Sequence, residues 1–110
     1  MLFLVRFDVT QPANVSNDEL IAIWCREAEA AIGAMDAGAV PHLWKVAGQR
    51  VVLGVVDLPT AEDLDRALGS LPIIREMGPG MKTEAWPIYD YRTFAVDLEG
   101  GAYGDVAPQS

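Results

Sequence analysis

One cysteine and one histidine occur in the 110 residues. Cys25 therefore has no intrachain disulfide partner, and no set of ligands stands at zinc-binding spacing. A disulfide scaffold and a structural zinc site are excluded, and no metal is expected. Cys25 lies in an apolar-rich helical run with no basic residue three or four places away, the setting of an inert thiol. Basic residues are also scarce, eight Lys and Arg against sixteen Asp and Glu, for a formal net charge of −8. Phosphate backbones and anionic lipid surfaces repel such a chain on average, which argues against nucleic-acid and membrane partners. No run approaches the ~20 consecutive apolar residues of a membrane-spanning helix. The opening MLFLVRFDV alternates instead of placing a basic region before a continuous apolar stretch, so a cytoplasmic location is expected. A phosphate-cradling glycine loop is missing too: GPGM is short, carries proline and leads into a strand. Ser16, Ser70 and Ser110 lie outside any nucleophile-elbow pattern. Nucleotide-binding and serine-hydrolase readings fail.

What is present suits one globular domain. Hydrophobic residues make up 51% and charged residues 22%, and a chain of this length can bury about 65% of its unfolded surface. Residues 2–9 alternate, Phe3, Val5, Phe7 and Val9 on one face and Leu2, Leu4, Arg6 and Asp8 on the other, as in a strand. Ser16 followed by Glu19 is a capping box, and the next break is the 33–38 glycine stretch, predicting a helix over about 17–36. Two apolar segments, 39–47 and 50–58, flank Gly48-Gln49, which suits a tight primed hairpin turn. Thr60 with Asp63 caps a second helix over about 61–70, and Leu64, Ala67, Leu68 and Leu71 form its apolar stripe. Pro72 and the 78–80 cluster bound a connecting segment before a last strand, Met81 to Ile88.

The order β-α-β-β-α-β predicts an α+β, ferredoxin-like fold: an antiparallel sheet with two helices on one face. Val51, Leu53 and Val55 point one way, and Val52, Val56 and Leu58 the other. The helices can cover only one of these faces, so a homo-oligomer is expected to bury the other, as when two sheets close into a dimeric α+β barrel. Residues 1–91 are read as the domain. Residues 92–110, glycine-rich, acidic and without cations after Arg92, are read as a mobile or partner-bound extension.

One charge on the first helix is out of place. At roughly 100° per residue, Leu20, Trp24 and Ala31 share the core side with Ile23 and Ala34 on one flank and Ala28 and Met35 on the other; Glu27 lands among them. A carboxylate there must find a partner, take up a proton or line a cavity. It is either a proton carrier or a side chain that leans out to water or to an arginine. His42 at a strand start is either an ordinary hydrogen-bonded residue or part of a site, and Trp44 shares its face. Arg6, Lys45, Arg50 and Lys82 are the cations near strands that could hold an anionic substrate.

MLF at the start, HLWKVAG at 42–48, DLPTAEDLDRAL at 57–68 and LPIIREM at 71–77 occur in the order and spacing of the muconolactone isomerase family. The chain resembles that family from residue 1 to about 90. The resemblance implies a cofactor-free isomerase that assembles into high-order oligomers, typically decamers. The reaction it implies shifts a double bond within an unsaturated lactone bearing a carboxylate, in aromatic-compound breakdown through the β-ketoadipate route. Such chemistry needs a proton carrier, a donor for the developing dienolate and a cation for the carboxylate. By resemblance, Glu27 is the acid-base residue, His42 and Trp44 orient or wall the lactone, and Arg6 takes a basic position; Arg50, from the short list of cations near strands, is a further candidate for binding substrate. Leu4 stands where the family carries His, Trp24 where it carries Lys, and Gln49 where it carries a second His. These departures imply a more apolar, less basic pocket for a different lactone or a larger, less polar ring. Two other readings stay open: a cofactor-free oxygenase or cyclase of the dimeric α+β barrel type, and a non-catalytic binding or assembly protein.

Overall fold

The computed structural model describes residues 1–104. Four strands, β1 (Leu2–Val9), β2 (His42–Lys45), β3 (Val51–Asp57) and β4 (Met81–Ile88), form one antiparallel sheet in the order β2-β3-β1-β4. Helix α1 (Asn17–Asp36) joins β1 to β2, and α2 (Ala61–Gly69) and α3 (Pro72–Met77) join β3 to β4. A fourth helix, α4 (Tyr91–Glu99), follows the sheet. The architecture is α+β with ferredoxin-like strand order.

Alternation decides which side of β1 meets the helices. Phe3, Val5 and Val9 are 3%, 0% and 6% exposed, while Arg6 on the other side is exposed. The buried side chains form two clusters toward the two ends of β1. Val9 packs with Leu20 and Ile23 of α1 and Ile73 and Met77 of α3; Phe3 and Val5 pack with Leu64 of α2. Ser16 caps α1, its Oγ accepting from the Glu19 N–H at 3.1 Å, and Thr60 caps α2 by accepting from the Asp63 N–H at 3.1 Å. Both predicted N-caps are therefore formed, but in place of the reciprocal backbone bond of a full capping box each cap hydroxyl donates to the carboxylate three residues on.

Several expectations need correction. The segment after Pro72 is not a plain connection: Pro72 opens α3, and Gly78–Gly80 forms a 3-10 turn before β4. Proline suits a first helical position because its missing N–H would lack a helical partner there. Ladder pairing in β2 runs only from His42 to Lys45, shorter than 39–47. The hairpin is centred where Gly48-Gln49 placed it, with Lys45 opposite Val52. Its turn is not primed, however. The Gln49 N–H donates to Val46 O at 3.3 Å, so Ala47 and Gly48 are the central residues, and only the second, Gly48 at φ +75°, is left-handed.

The extension expected to be mobile or partner-bound begins with a helix, α4, capped by Asp90, whose side chain accepts from the Arg92 N–H at 2.7 Å. The division at 91/92 falls in its first turn. No residue of α4 is buried. Phe94 instead packs edge-on to Tyr91 and Tyr103, with ring centroids 5.5 and 5.3 Å apart. The molecule is correspondingly drawn out, 58 Å along its longest axis with a radius of gyration of 18.0 Å, where a compact domain of this size has about 13 Å. Residues 105–110, the rest of the expected extension, lie outside the described residues.

Candidate active site

The two core clusters leave a gap between them, and that gap is a cavity of about 500 Å³, open at one side. Val5 and Phe7 of β1 with Val52 and Gly54 of β3 form its floor, Trp24, Glu27 and Ala31 of α1 stand above, and Leu68 and Ile73, one from each cluster's surroundings, also line it. Gly54 matters because a Cβ there would meet Leu43 Cδ1 at 3.0 Å and His42 O at 3.5 Å. The missing side chain lets Leu43 of β2 lie over the floor.

Glu27 is half-buried, and α1 carries it into this apolar space as the helical spacing predicts. Burial raises its carboxyl pKa above the ordinary value, and the one backbone N–H it accepts, from Ile73 to Oε2 at 3.2 Å, opposes that rise. Because Pro72 has no N–H, Ile73 supplies the first backbone donor of α3, and Glu27 satisfies it. Nearby, Arg26 clamps α1 to α3 through Glu76, with Nη2 2.6 Å from Oε1 and Nε 3.3 Å from Oε2. Ile73 and α3 were missed at the sequence level. The available signal was Pro72 ahead of Ile73, Ile74 and Met77, a first-position proline before an apolar face.

The other residues singled out in the sequence are divided between the two sides of the sheet. His42 pairs with Val55, and Val55 with Leu4; Trp44 pairs with Leu53, and Leu53 with Arg6. Directly opposed residues share a face, so His42, Trp44, Leu4 and Arg6 project from the side without helices. There His42 and Trp44 stack, centroids 5.4 Å apart and planes within 3°. Arg6 is held by Asp8 through two bonds of 3.1 Å, and this pairing raises its pKa. Within one chain these four side chains are not brought together with Glu27; Trp44 borders the cavity only as part of the edge strand β2. Trp24 does line it. Arg50 sits in a shallower groove on the far side of Trp24, with Leu20, Ile21 and Cys25, and donates to Gln11 Oε1 at 3.4 Å.

Lys45, which the sequence offered only as a nearby cation, stands at the cavity edge. Its Nζ donates to Val46 O at 2.9 Å and to Gln49 O, tying it to its own hairpin loop. Among the described residues no three His, Cys, Asp or Glu gather as a metal site, and no helix is long and apolar enough to cross a membrane. The arrangement can move a proton to and from an apolar guest.

Comparison with known proteins identifies the family. The sequence profile of muconolactone delta-isomerase matches residues 1–95. The muconolactone delta-isomerase of Pseudomonas aeruginosa is 31% identical over 77 residues, covering 70% of this chain and 80% of that protein. The one from Acinetobacter baylyi is 31% identical over 84 residues, 76% and 83% of the two chains. That of Rhodococcus opacus is 30% identical over 90 residues, 79% and 89%. A crystal structure of muconolactone isomerase superposes with a TM-score of 0.70 at 29% identity, covering 82% of this chain and 90% of the other. The chain belongs to the muconolactone delta-isomerase family and is an isomerase.

Proposed function

We propose that this protein is a cytoplasmic, cofactor-free isomerase of aromatic-compound breakdown that moves a carbon–carbon double bond within a muconolactone-like unsaturated lactone, with Glu27 as the proton carrier. The carrying observation is a half-buried carboxyl in an otherwise apolar cavity, its pKa raised by burial. As carboxylate, Glu27 removes a proton from a ring carbon made acidic by the conjugated lactone carbonyl. The electron pair spreads over a dienolate, the carboxyl returns the proton to another carbon, and the double bond ends one position along. No atom is gained or lost. A carboxyl with a raised pKa serves both halves: it is a stronger base than an ordinary carboxylate, and once protonated it is the acid that returns the proton. Trp24 walls the guest and excludes water.

The uncovered sheet face supports the second part of the reading, assembly of two or more copies. Trp44 and Trp86 are 53% and 43% exposed there, and His42, Val55, Leu4 and Trp86 form one row across the four strands. Sheet-to-sheet packing of a second copy, as in a dimeric α+β barrel, would bury that row. His42, Leu4 and Arg6 then belong to an interface, where they act on a substrate only if it reaches that face.

Incubating the full chain with muconolactone in deuterated water, followed by NMR, tests the reaction. Double-bond migration with deuterium at the carbon that receives the proton is expected. It should be lost in Glu27→Gln at unchanged oligomeric state; an undiminished rate in that variant removes Glu27 from the reaction.

A further inference from the structure

The cavity poses a question about charge. A lactone bearing a carboxylate needs a cation inside the site, and the positions of all eight Lys and Arg are known. Arg6 and Lys82 are on the uncovered sheet face, beside Asp8 and Glu84. Arg26 and Arg66 are paired with Glu76 and Asp63 on helix surfaces. Arg75 and Arg92 are exposed on α3 and α4, and Arg50 occupies the separate groove beyond Trp24. Only Lys45 borders the cavity; it is exposed at the edge strand, with two of its three donors on carbonyls of its own loop.

Among the described residues no Ser, Thr, Asn, Gln, Tyr or His lines the cavity, and Glu27 and Lys45 are the ionisable side chains that do. A carboxylate drawn inside would lose its water, lie near a second carboxyl and have as its neighbouring cation only Lys45, tied to its own loop at the cavity edge. The net charge of −8 adds repulsion at longer range. The space also has room for a substituent: about 500 Å³ lies within the ~300–1,000 Å³ of pockets that enclose drug-sized ligands.

Building on the proposed isomerisation, we infer that the site takes an uncharged unsaturated lactone carrying an apolar substituent, and discriminates against the carboxylate-bearing form. The lactone ring sits under Glu27, and the substituent fills the apolar space between α1 and the floor at Gly54. Apart from Lys45 at the cavity edge, Glu27 is the only charge beside the bound ring, so it moves between carboxyl and carboxylate without a fixed anion next to it. Proton transfer within the substrate is unchanged and balances as before.

A matched pair isolates the charge: a carboxymethyl-substituted unsaturated γ-lactone and its methyl ester, which share a ring and nearly share a shape. Turnover of each by the full chain at neutral pH is followed by NMR, and binding by calorimetry on the same samples. The ester is expected to be favoured by roughly tenfold or more in both kcat/KM and dissociation constant, with the ratio unmoved in Arg50→Gln and Lys45→Gln. Equal or better use of the acid overturns the inference, and loss of that preference in either variant then identifies the cation that was overlooked. If neither compound reacts but the ester binds more tightly, the isomerisation is wrong and the inference about charge stands. If neither binds, the inference falls with it.

Discussion

Ile73 donates its backbone N–H to Glu27 Oε2 at 3.2 Å, joining residues 46 positions apart. This bond aims the carboxyl, and because it is single it leaves the cost of burial largely uncompensated. The folded chain therefore holds the Glu27 proton more tightly than the unfolded chain does. Between the unfolded and the folded pKa, stability falls as pH rises. Glu27→Gln, which can still accept from Ile73, should melt at a higher temperature than the parent above that window. Below it the two should melt together. Activity should drop by about 10²–10⁴-fold, the usual worth of a positioned acid-base group. Equal melting at every pH would mean that Glu27 reaches water freely.

Glu27 was legible because one helix carries the whole signal: a carboxyl at the angular position of Leu20, Trp24 and Ala31 conflicts with burial whatever the rest of the chain does. Ile73 was not legible as its partner. A backbone donor has no residue type to read, and its proximity depends on α3 docking against α1. Register in the hairpin could be read from the Gly48-Gln49 pair, since Lys45 opposes Val52 as strand pairing centred there requires, although the turn itself has Ala47 and Gly48 at its centre. Which side of β2 meets the helices could not, because that follows from Leu4 opposing Val55 across fifty residues of chain. Motif resemblance grouped His42 with Glu27; pairing between distant strands places them on opposite sides of the sheet.

His42 and Trp44 consequently make a distinct prediction. Their stacked rings lie on the uncovered face in one row each with Leu4 and Arg6. Trp44→Ser should shift the protein toward smaller species in sedimentation at micromolar concentration, while its pH–rate profile keeps the shape set by Glu27. Were the assembly to stay intact and the profile to change, the row would be serving the substrate instead of a second sheet.

Gly80 ties β4 to the chain entering α1. It is buried, and the Thr10 N–H donates to its carbonyl at 2.6 Å. A Cβ at this position would collide with Thr10 O and press on the Pro12 ring at 3.1 Å. Backbone cannot yield as a flexible side chain would, so Gly80→Ala should cost about 2–3 kcal/mol, read as a lower urea midpoint at unchanged slope. A neutral substitution would show that the 3-10 turn at Gly78–Gly80 can slide without loss.

The last prediction concerns α4. Its aromatic residues pack on one another and none is buried, so the helix contributes little to the core formed by Phe3, Val5, Leu64 and the Val9 cluster. An isolated helix of nine residues is marginal in water, and one that persists away from the sheet needs a partner surface. Truncation after Asp90 separates the contributions. At low protein concentration, where copies separate, it should change stability by no more than about 0.5 kcal/mol, as expected for groups outside the core. A loss that grows as protein concentration rises would show that α4 is held by a second copy, since only binding between chains makes stability depend on concentration. A large loss at every concentration would instead place α4 against its own sheet.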